Sequence, residues 1–283
     1  MANSMSSSWG LMLTYIVLVI AVITVFVLLY KVLSKKKYLN SALSQFELDV
    51  IKKQLSVVNF LDDHQKENFR RVYREFLYDK KFVGCAGQEI TEEVKIVVAA
   101  GASLLVVNRS KKAIAAYKAL KWIYIYPAAF IATREVRDEH GVVSKEQVGM
   151  LGESWDLGRV VLSWSDVEHG LQDFNDGNNV LFHEFAHQLD SESGSTNGSP
   201  LLVNRQAYAS WAKVLSKEFV GLQADAEKGR RNVLDHYGAT NPAEFFAVAT
   251  ETFFEKPEKL KRTHQALYKE LSEYYGFDPC LWK

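Results

Sequence analysis

Chemistry is concentrated in one short stretch of this 283-residue chain, His183-Glu184-Phe185-Ala186-His187. Residues four apart on a helix lie on the same face, so the two imidazoles can meet one metal ion with Glu184 beside them. Two neutral nitrogen ligands, with a carboxylate able to take a proton from metal-bound water, are what a zinc hydrolase requires. The pattern points to cleavage of peptide bonds or of something chemically close. Three fixed letters in five also arise by chance, so the surroundings matter. Phe182, Phe185, Ala186 and Leu189 supply the apolar contacts of a helix packed in an interior. Two histidines and a glutamate on such a helix are costly to bury without a partner.

A hydrolytic zinc takes three protein ligands and keeps a fourth position for water. The third is commonly a nearby histidine or a distant glutamate on another helix. The six residues after His187 are Gln-Leu-Asp-Ser-Glu-Ser, with no glycine and no histidine, so the third ligand comes from elsewhere. The best acidic helix starts at Asn241-Pro242, an N-cap followed by a first-position proline. On it Glu244 and Glu251 are seven residues apart, nearly two turns, and share a face among Phe245, Phe246, Val248 and Phe254. One carboxylate could bind zinc while the other orients a histidine N–H. Glu244 also sits where a capping-box glutamate would, Glu251 could pair with a lysine, and spacing alone leaves the choice open. Tyr237, in the turn before this helix, could donate to the oxyanion of a tetrahedral intermediate, with His236 as the alternative donor. Asp190 could hold a histidine tautomer or cap a helix end.

These residues need elements to position them. After a short polar joint, Leu43 to Val58 recurs at helical spacing, and Asp62-Asp63 could cap a second helix ending near Lys80-Lys81. Thr91-Glu92-Glu93 opens an apolar helix, 94–107. Lys121 to Ala132 is aromatic and β-branched, a strand interrupted by Pro127. Arg134 to Gly141 is expected to be the charged tip of a hairpin, and Val148–Trp155 and Gly158–Trp164 to be strands. Helices then resume, with a polar loop at 191–200 and breaks at Tyr237-Gly238 and Pro257. Helices, a small sheet, then helices indicate an α+β fold, mostly helical, and not a doubly wound parallel sheet. A strand shortly before the motif helix could pair with an extended peptide through backbone hydrogen bonds. Arg159, Val160, Val161, Leu162, Ser163 and Trp164 are the candidate substrate edge.

The N-terminus is different in kind. From Leu11 to Leu29 there is no charged residue, and the run is almost wholly apolar. That length suits one pass through a bilayer, and Trp9 and Tyr30 stand where interfacial aromatics belong. Lys31, Lys35, Lys36 and Lys37 follow the run and nothing basic precedes it. The positive-inside rule then puts the N-terminus outside and the globular part in the cytoplasm, at the inner membrane. A cleaved signal peptide would need a basic start, a shorter core and an A-x-A site. The expected organisation is an anchor at 1–37, in the membrane over residues 11–33, and a catalytic domain at 38–283. The 34 basic and 34 acidic residues cancel, so no overall field favours direct nucleic-acid binding. Cys85 and Cys280 form no C-x-x-C pair and read as free thiols.

The chain from about residue 80 onward resembles the Mlc titration factor A family of zinc peptidases. The resembling segments are Gly152-Glu153-Ser154-Trp155 with GRVVLSW, HEFAHQLD at 183–190, and NPAEFFAVATETFFEKP at 241–257. The family is itself similar to the catalytic domain of anthrax lethal factor, through a Tyr-x6-Glu-Phe-Phe-Ala element that here runs from Tyr237 to Ala247. The resemblance implies a zincin-like domain with one Zn²⁺ held by His183, His187 and Glu244. It implies Glu184 as general base, Tyr237 as transition-state donor and Glu251 as a residue behind the ligands. It also implies aminopeptidase-like activity on peptide or protein substrates, and binding of the glucose-regulated repressor Mlc. The N-terminal anchor is an addition to that pattern.

Overall fold

In the computed structural model the backbone is described for residues 2–109, 116–128, 131–137, 143–149 and 158–282, and side chains for 14–109, 116–128 and 158–282. The chain divides into two units, residues 1–42 and 43–283. The first is one helix, α1 (Ala2–Leu39). Its apolar side chains from Tyr15 to Leu33 are exposed on all sides. A helix that is apolar all round is suited to a protein interior or to lipid. Thr14–Leu39, 26 residues long, is apolar enough to cross a membrane by length and composition.

The second unit opens with α2 (Gln45–Gln54) and α3 (Asp63–Asp79), each started by a capping box, Ser44 with Glu47 and Asp62 with Gln65. Glu47 also pairs with Arg74 at 2.6 Å, joining the two helices. Next come β1 (Lys81–Gly84), α4 (Glu92–Leu104, capped by Thr91) and β2 (Trp122–Tyr126). They are followed by β3 (Ile131–Arg137), β4 (Val143–Gly149), β5 (Arg159–Ser163) and α5 (Trp164–Gln172). The remainder is helical: α6 (Val180–Ser191), α7 (Arg205–Glu227), a 3-10 turn at His236–Ala239, α8 (Pro242–Glu255), α9 (Pro257–Thr263) and α10 (Gln265–Tyr275).

The domain is mostly helical with a small sheet, as the sequence indicates, but the sheet differs from expectation in three ways. Its order is β1-β2-β5 and both pairings are parallel, with Ile123 of β2 between Phe82 and Val160. Parallel neighbours need a long crossover, and α4 lies within the first of them. β1, four residues directly after α3, is too short to show an alternating pattern. Secondly, Arg134 to Arg137 is strand and not turn. The β3–β4 register sets Arg134 opposite Glu146 and Glu135 opposite Lys145. Thirdly, Trp164 begins α5 instead of ending β5. Asp166 in the first turn and the buried Val167, Gly170 and Leu171 give that segment a helical pattern. Val148 and Gly149 end β4, and the rest of the expected strand to Trp155 lies outside the described residues.

The core centres on α6, which packs against α4, α5, α8 and β5. Phe182, Phe185, Ala186 and Leu189 are fully buried. The Phe185 ring meets Tyr117 at 5.2 Å and Phe76 at 5.6 Å, and Phe182 meets Phe254 at 5.3 Å. Gly101 permits the α4–α6 approach, since a Cβ there would stand 2.3 Å from Leu181 Cδ2. This packing fixes the rotation of α6 and therefore where its histidines point.

Candidate metal centre

α6 starts sharply because Asn179 caps it, its side-chain oxygen accepting from Phe182 N at 3.1 Å. α8 starts in the same way: Asn241 accepts from Ala243 N and Glu244 N, with Pro242 in the first turn. The two helices pack together, and the facing sides bring three donor atoms to one point. His183 Nε2 and His187 Nε2 are 3.1 Å apart, and Glu244 Oε2 lies 3.0 Å from the first and 3.4 Å from the second. Tetrahedral ligands on bonds of about 2.0–2.1 Å stand roughly 3.3 Å from one another, so the triangle has the size a zinc-like ion demands. Two ring nitrogens cannot direct lone pairs at each other without a proton or a cation between them, and the set fits a metal on that ground.

Glu251 completes the arrangement from behind. His183 Nδ1 donates to Glu251 Oε1 at 2.7 Å, which fixes the ring with Nε2 turned toward the centre. The other oxygen of Glu251 accepts from the backbone N–H of Asn179 at 2.5 Å. One turn further along α8, Glu255 accepts from the Asn179 side-chain amide and from Gly177 N, each at 2.8 Å. α8 therefore supplies the third donor atom, orients one histidine and holds the residue that caps the histidines' helix. The capping-box alternative for Glu244 does not hold, because its carboxylate reaches the imidazoles. The ambiguity left by spacing is resolved by depth along α8: Glu244 reaches the Nε2 pair and Glu251 the opposite side of one ring. Glu255 was not anticipated, although its spacing of four from Glu251 places it on the same face.

The electrostatics follow from burial and charge. Burial works against the charged form of His183, but Glu244 and Glu251 overcome it and raise its pKa to about 10. Burial pushes His187 down despite Glu244. Burial also raises Glu244, but hydrogen bonds from both imidazoles prevail and hold it at about 2. Glu184, 5 % exposed, is pushed up to about 7 by burial, against the pull of His183. A buried carboxyl poised near neutrality is suited to accepting and releasing a proton.

A cleft of about 640 Å³ opens beside the centre, lined by His183, Glu184, Tyr237, Asp166, His169 and Asp235, among others. Tyr237, not His236, faces it. The Tyr237 ring centre lies 6.0 Å from that of His183, and its backbone N–H is held by Asp235 at 2.7 Å. Burial and then the charges of Glu244 and Glu184 raise its pKa, so its hydroxyl stays a donor. Asp190 is placed elsewhere than expected. Its carboxylate accepts from Gly198 N at 2.6 Å: seven residues after His183 it lies on the same side of α6 but about two turns further along the axis, at the 191–200 loop. Of the candidate edge, β5 is paired only with β2 among the described residues. The Arg159 carbonyl accepts from Gln188 Nε2 at 3.3 Å and Trp164 is helical, so Val160–Ser163 is the stretch left as an edge.

Comparison with known proteins agrees with this geometry. The family model for glucose-regulated metallo-peptidase M90 matches residues 30–276. The chain is 39% identical over 222 residues to uncharacterized protein slr2042 of Synechocystis sp., covering 78% of this chain and 80% of that one. It is 31% identical over 230 residues to Mlc titration factor A of Cronobacter sakazakii, covering 78% and 82%. With the same factor of Serratia proteamaculans it shares 30% over 222 residues, covering 77% and 82%. A match of this extent, together with a donor set built for a metal, makes the chain a member of the glucose-regulated metallo-peptidase family M90.

Proposed function

We propose that this protein is a zinc-dependent peptidase, aminopeptidase-like and of the HExxH-plus-distant-glutamate type, tethered to a membrane by α1. The observation that carries the reading is the meeting of His183 Nε2, His187 Nε2 and Glu244 Oε2 within 3.4 Å. Two imidazoles and a carboxylate favour zinc over calcium or magnesium, which prefer all-oxygen shells. When bound, the ion supplies an activated water and polarises the scissile carbonyl.

The chain's own residues account for the other steps. Glu184 takes the proton released as water attacks the carbonyl, then passes it to the leaving amine. Tyr237 donates to the oxygen that gains charge, from a cleft wall where its hydroxyl remains protonated. Glu251 keeps His183 in the tautomer that offers Nε2. The Val160–Ser163 edge of β5 supplies backbone groups for an extended substrate. The length of α1 and the lysines Lys31, Lys35, Lys36 and Lys37 support a single span with the catalytic domain on the cytoplasmic side. The test is hydrolysis of chromogenic amino-acid anilides and peptides by the purified full chain. Turnover should vanish with chelator, return with zinc and be absent in Glu184→Gln. Chelator-resistant turnover, or full activity in Glu184→Gln, would refute the reading.

A second reading rests on the relatives named Mlc titration factor A. A chain of this family could capture a transcriptional repressor such as Mlc, with peptidase activity secondary. Capture of purified Mlc by Glu184→Gln at wild-type affinity would support it, and no binding by either form would eliminate it.

A further inference from the structure

A metal shared with His183 and His187 needs Glu244 at a definite depth along α6, because ligand distances tolerate only about 0.2 Å of error. α6 and α8 run past each other in opposite directions. One end of their register is held by Asn179, at the start of α6, which meets Glu251 and Glu255 on the far half of α8. The other end is held in a different way. Asp190, in the last turn of α6, is fully buried, and it reaches α8 through the backbone of Gly198.

Gly198 is gripped at both of its peptide groups. Its N–H donates to Asp190 Oδ2 at 2.6 Å, with the backbone N–H groups of Asn197 and Ser199 beside the same carboxylate. Its carbonyl accepts from Trp211 Nε1 of α7 at 2.9 Å. Trp211 is itself buried, and its ring packs on Phe246 of α8 with centres 5.6 Å apart. Held in this way, Gly198 rests on the first turn of α8. A Cβ here would stand 2.3 Å from the Pro242 carbonyl oxygen and 2.8 Å from the carbonyl carbon, and the φ of +77° also favours glycine. Pro242 is the first residue of α8, two before Glu244.

We propose that Asp190, Gly198 and Trp211 form a brace that sets the depth of α8 against α6 and so positions Glu244 at the metal. The contact is backbone against backbone, with no flexible side chain to absorb a displacement. Ordinary contact begins near 3.4 Å, so any Cβ at 198 must shift the loop or the helix by about 1 Å, several times the tolerance of a zinc–ligand bond. The loop is held at both peptide groups, so the first turn of α8 gives way. All three are positioning residues, acting on Glu244 through Pro242. The proposal rests on the metal centre described above and not on peptide hydrolysis.

Zinc affinity of the full chain, measured by competition with a chelating dye, tests it in a double-mutant cycle. Gly198→Ala should weaken zinc by about 10–100-fold, the range for residues that hold a ligand in place, at a temperature where circular dichroism shows the variant folded. In a chain already carrying Glu244→Ala, the same substitution should change zinc affinity little, since the ligand it displaces is gone. A loop with only a structural role would lower stability and leave the affinity of the folded chain alone, or lower the affinity equally in both backgrounds. Either result would overturn the proposal. If Gly198→Ala does not fold, Trp211→Phe takes its place, because it removes the donor to Gly198 and keeps an aromatic ring against Phe246. Affinity should then fall about 2–10-fold with Glu244 present and not without it, and an unchanged affinity would overturn the brace. A wild-type chain that takes up no zinc would sink the metal centre and the brace together, whereas wild-type uptake with no response in the variants would sink the brace alone.

Discussion

The two faces of α6 are built from different physics. The face carrying Phe182, Phe185 and Leu189 is buried in aromatic contacts with Phe76, Tyr117 and Phe254. The face carrying His183, Glu184 and His187 meets a row of carboxylates on α8, two of which also accept hydrogen bonds from Asn179. The apolar face stabilises by excluding water, and a substitution there costs folding energy. The polar face holds charges in short hydrogen bonds, so a substitution there should cost metal or turnover first. A helix of twelve residues thus separates stability from chemistry by rotation alone.

The comparison can be broken at several points. The largest effect should be on turnover in Glu184→Gln: about 10²–10⁴-fold slower hydrolysis, with zinc content and melting temperature unchanged. Zinc lost along with activity would mean that Glu184 belongs to the metal shell. Next, Glu251→Ala should weaken zinc binding by about 10–100-fold while the metal still binds at saturation. An unaltered affinity, measured by competition with a chelating dye, would remove Glu251 from the site. On the other face, Phe185→Ala should cost about 3–5 kcal/mol of stability in denaturant unfolding, with the zinc affinity of the folded protein retained. Loss of metal at conditions where that variant is still folded would show that the faces are not separable.

Legibility in the sequence follows the same division. The apolar positions of α6 and the paired histidines are periodic, so the helix and its chemical face could be read directly. The α8 carboxylates could be placed on one face, but Glu244 and Glu251 could not be ranked, because spacing gives rotation and not the depth at which two helices cross. Asp190 misled for the same reason in reverse: it is three residues past His187, and only the structure shows it turned to Gly198. The sheet was least legible. β1 is only four residues long, parallel pairing leaves no local hairpin signal, and the charged stretch from Arg134 reads as a turn although its backbone pairs with β4.

Two smaller effects concern protons. His183, with a pKa raised to about 10 in the metal-free chain, must lose its proton to bind zinc. Affinity should therefore rise with pH, by about tenfold per unit if one proton is released. A flat profile between neutral and mildly alkaline pH would contradict the raised value. For turnover, Glu184 must be ionised. Its pKa of about 7 falls when a cation is bound nearby, so the acid limb of kcat/KM should lie at or below neutrality. Glu184→Asp, if active, should shift that limb, and an identical limb in wild type and Glu184→Asp would assign it to another group.

The most direct test of the account is metal analysis of the purified full chain beside Glu244→Ala. The arrangement of His183, His187 and Glu244 predicts one zinc per wild-type chain and almost none in the variant at equal dilution. A wild-type chain that takes up no zinc, or a variant that retains it fully, would contradict the central claim.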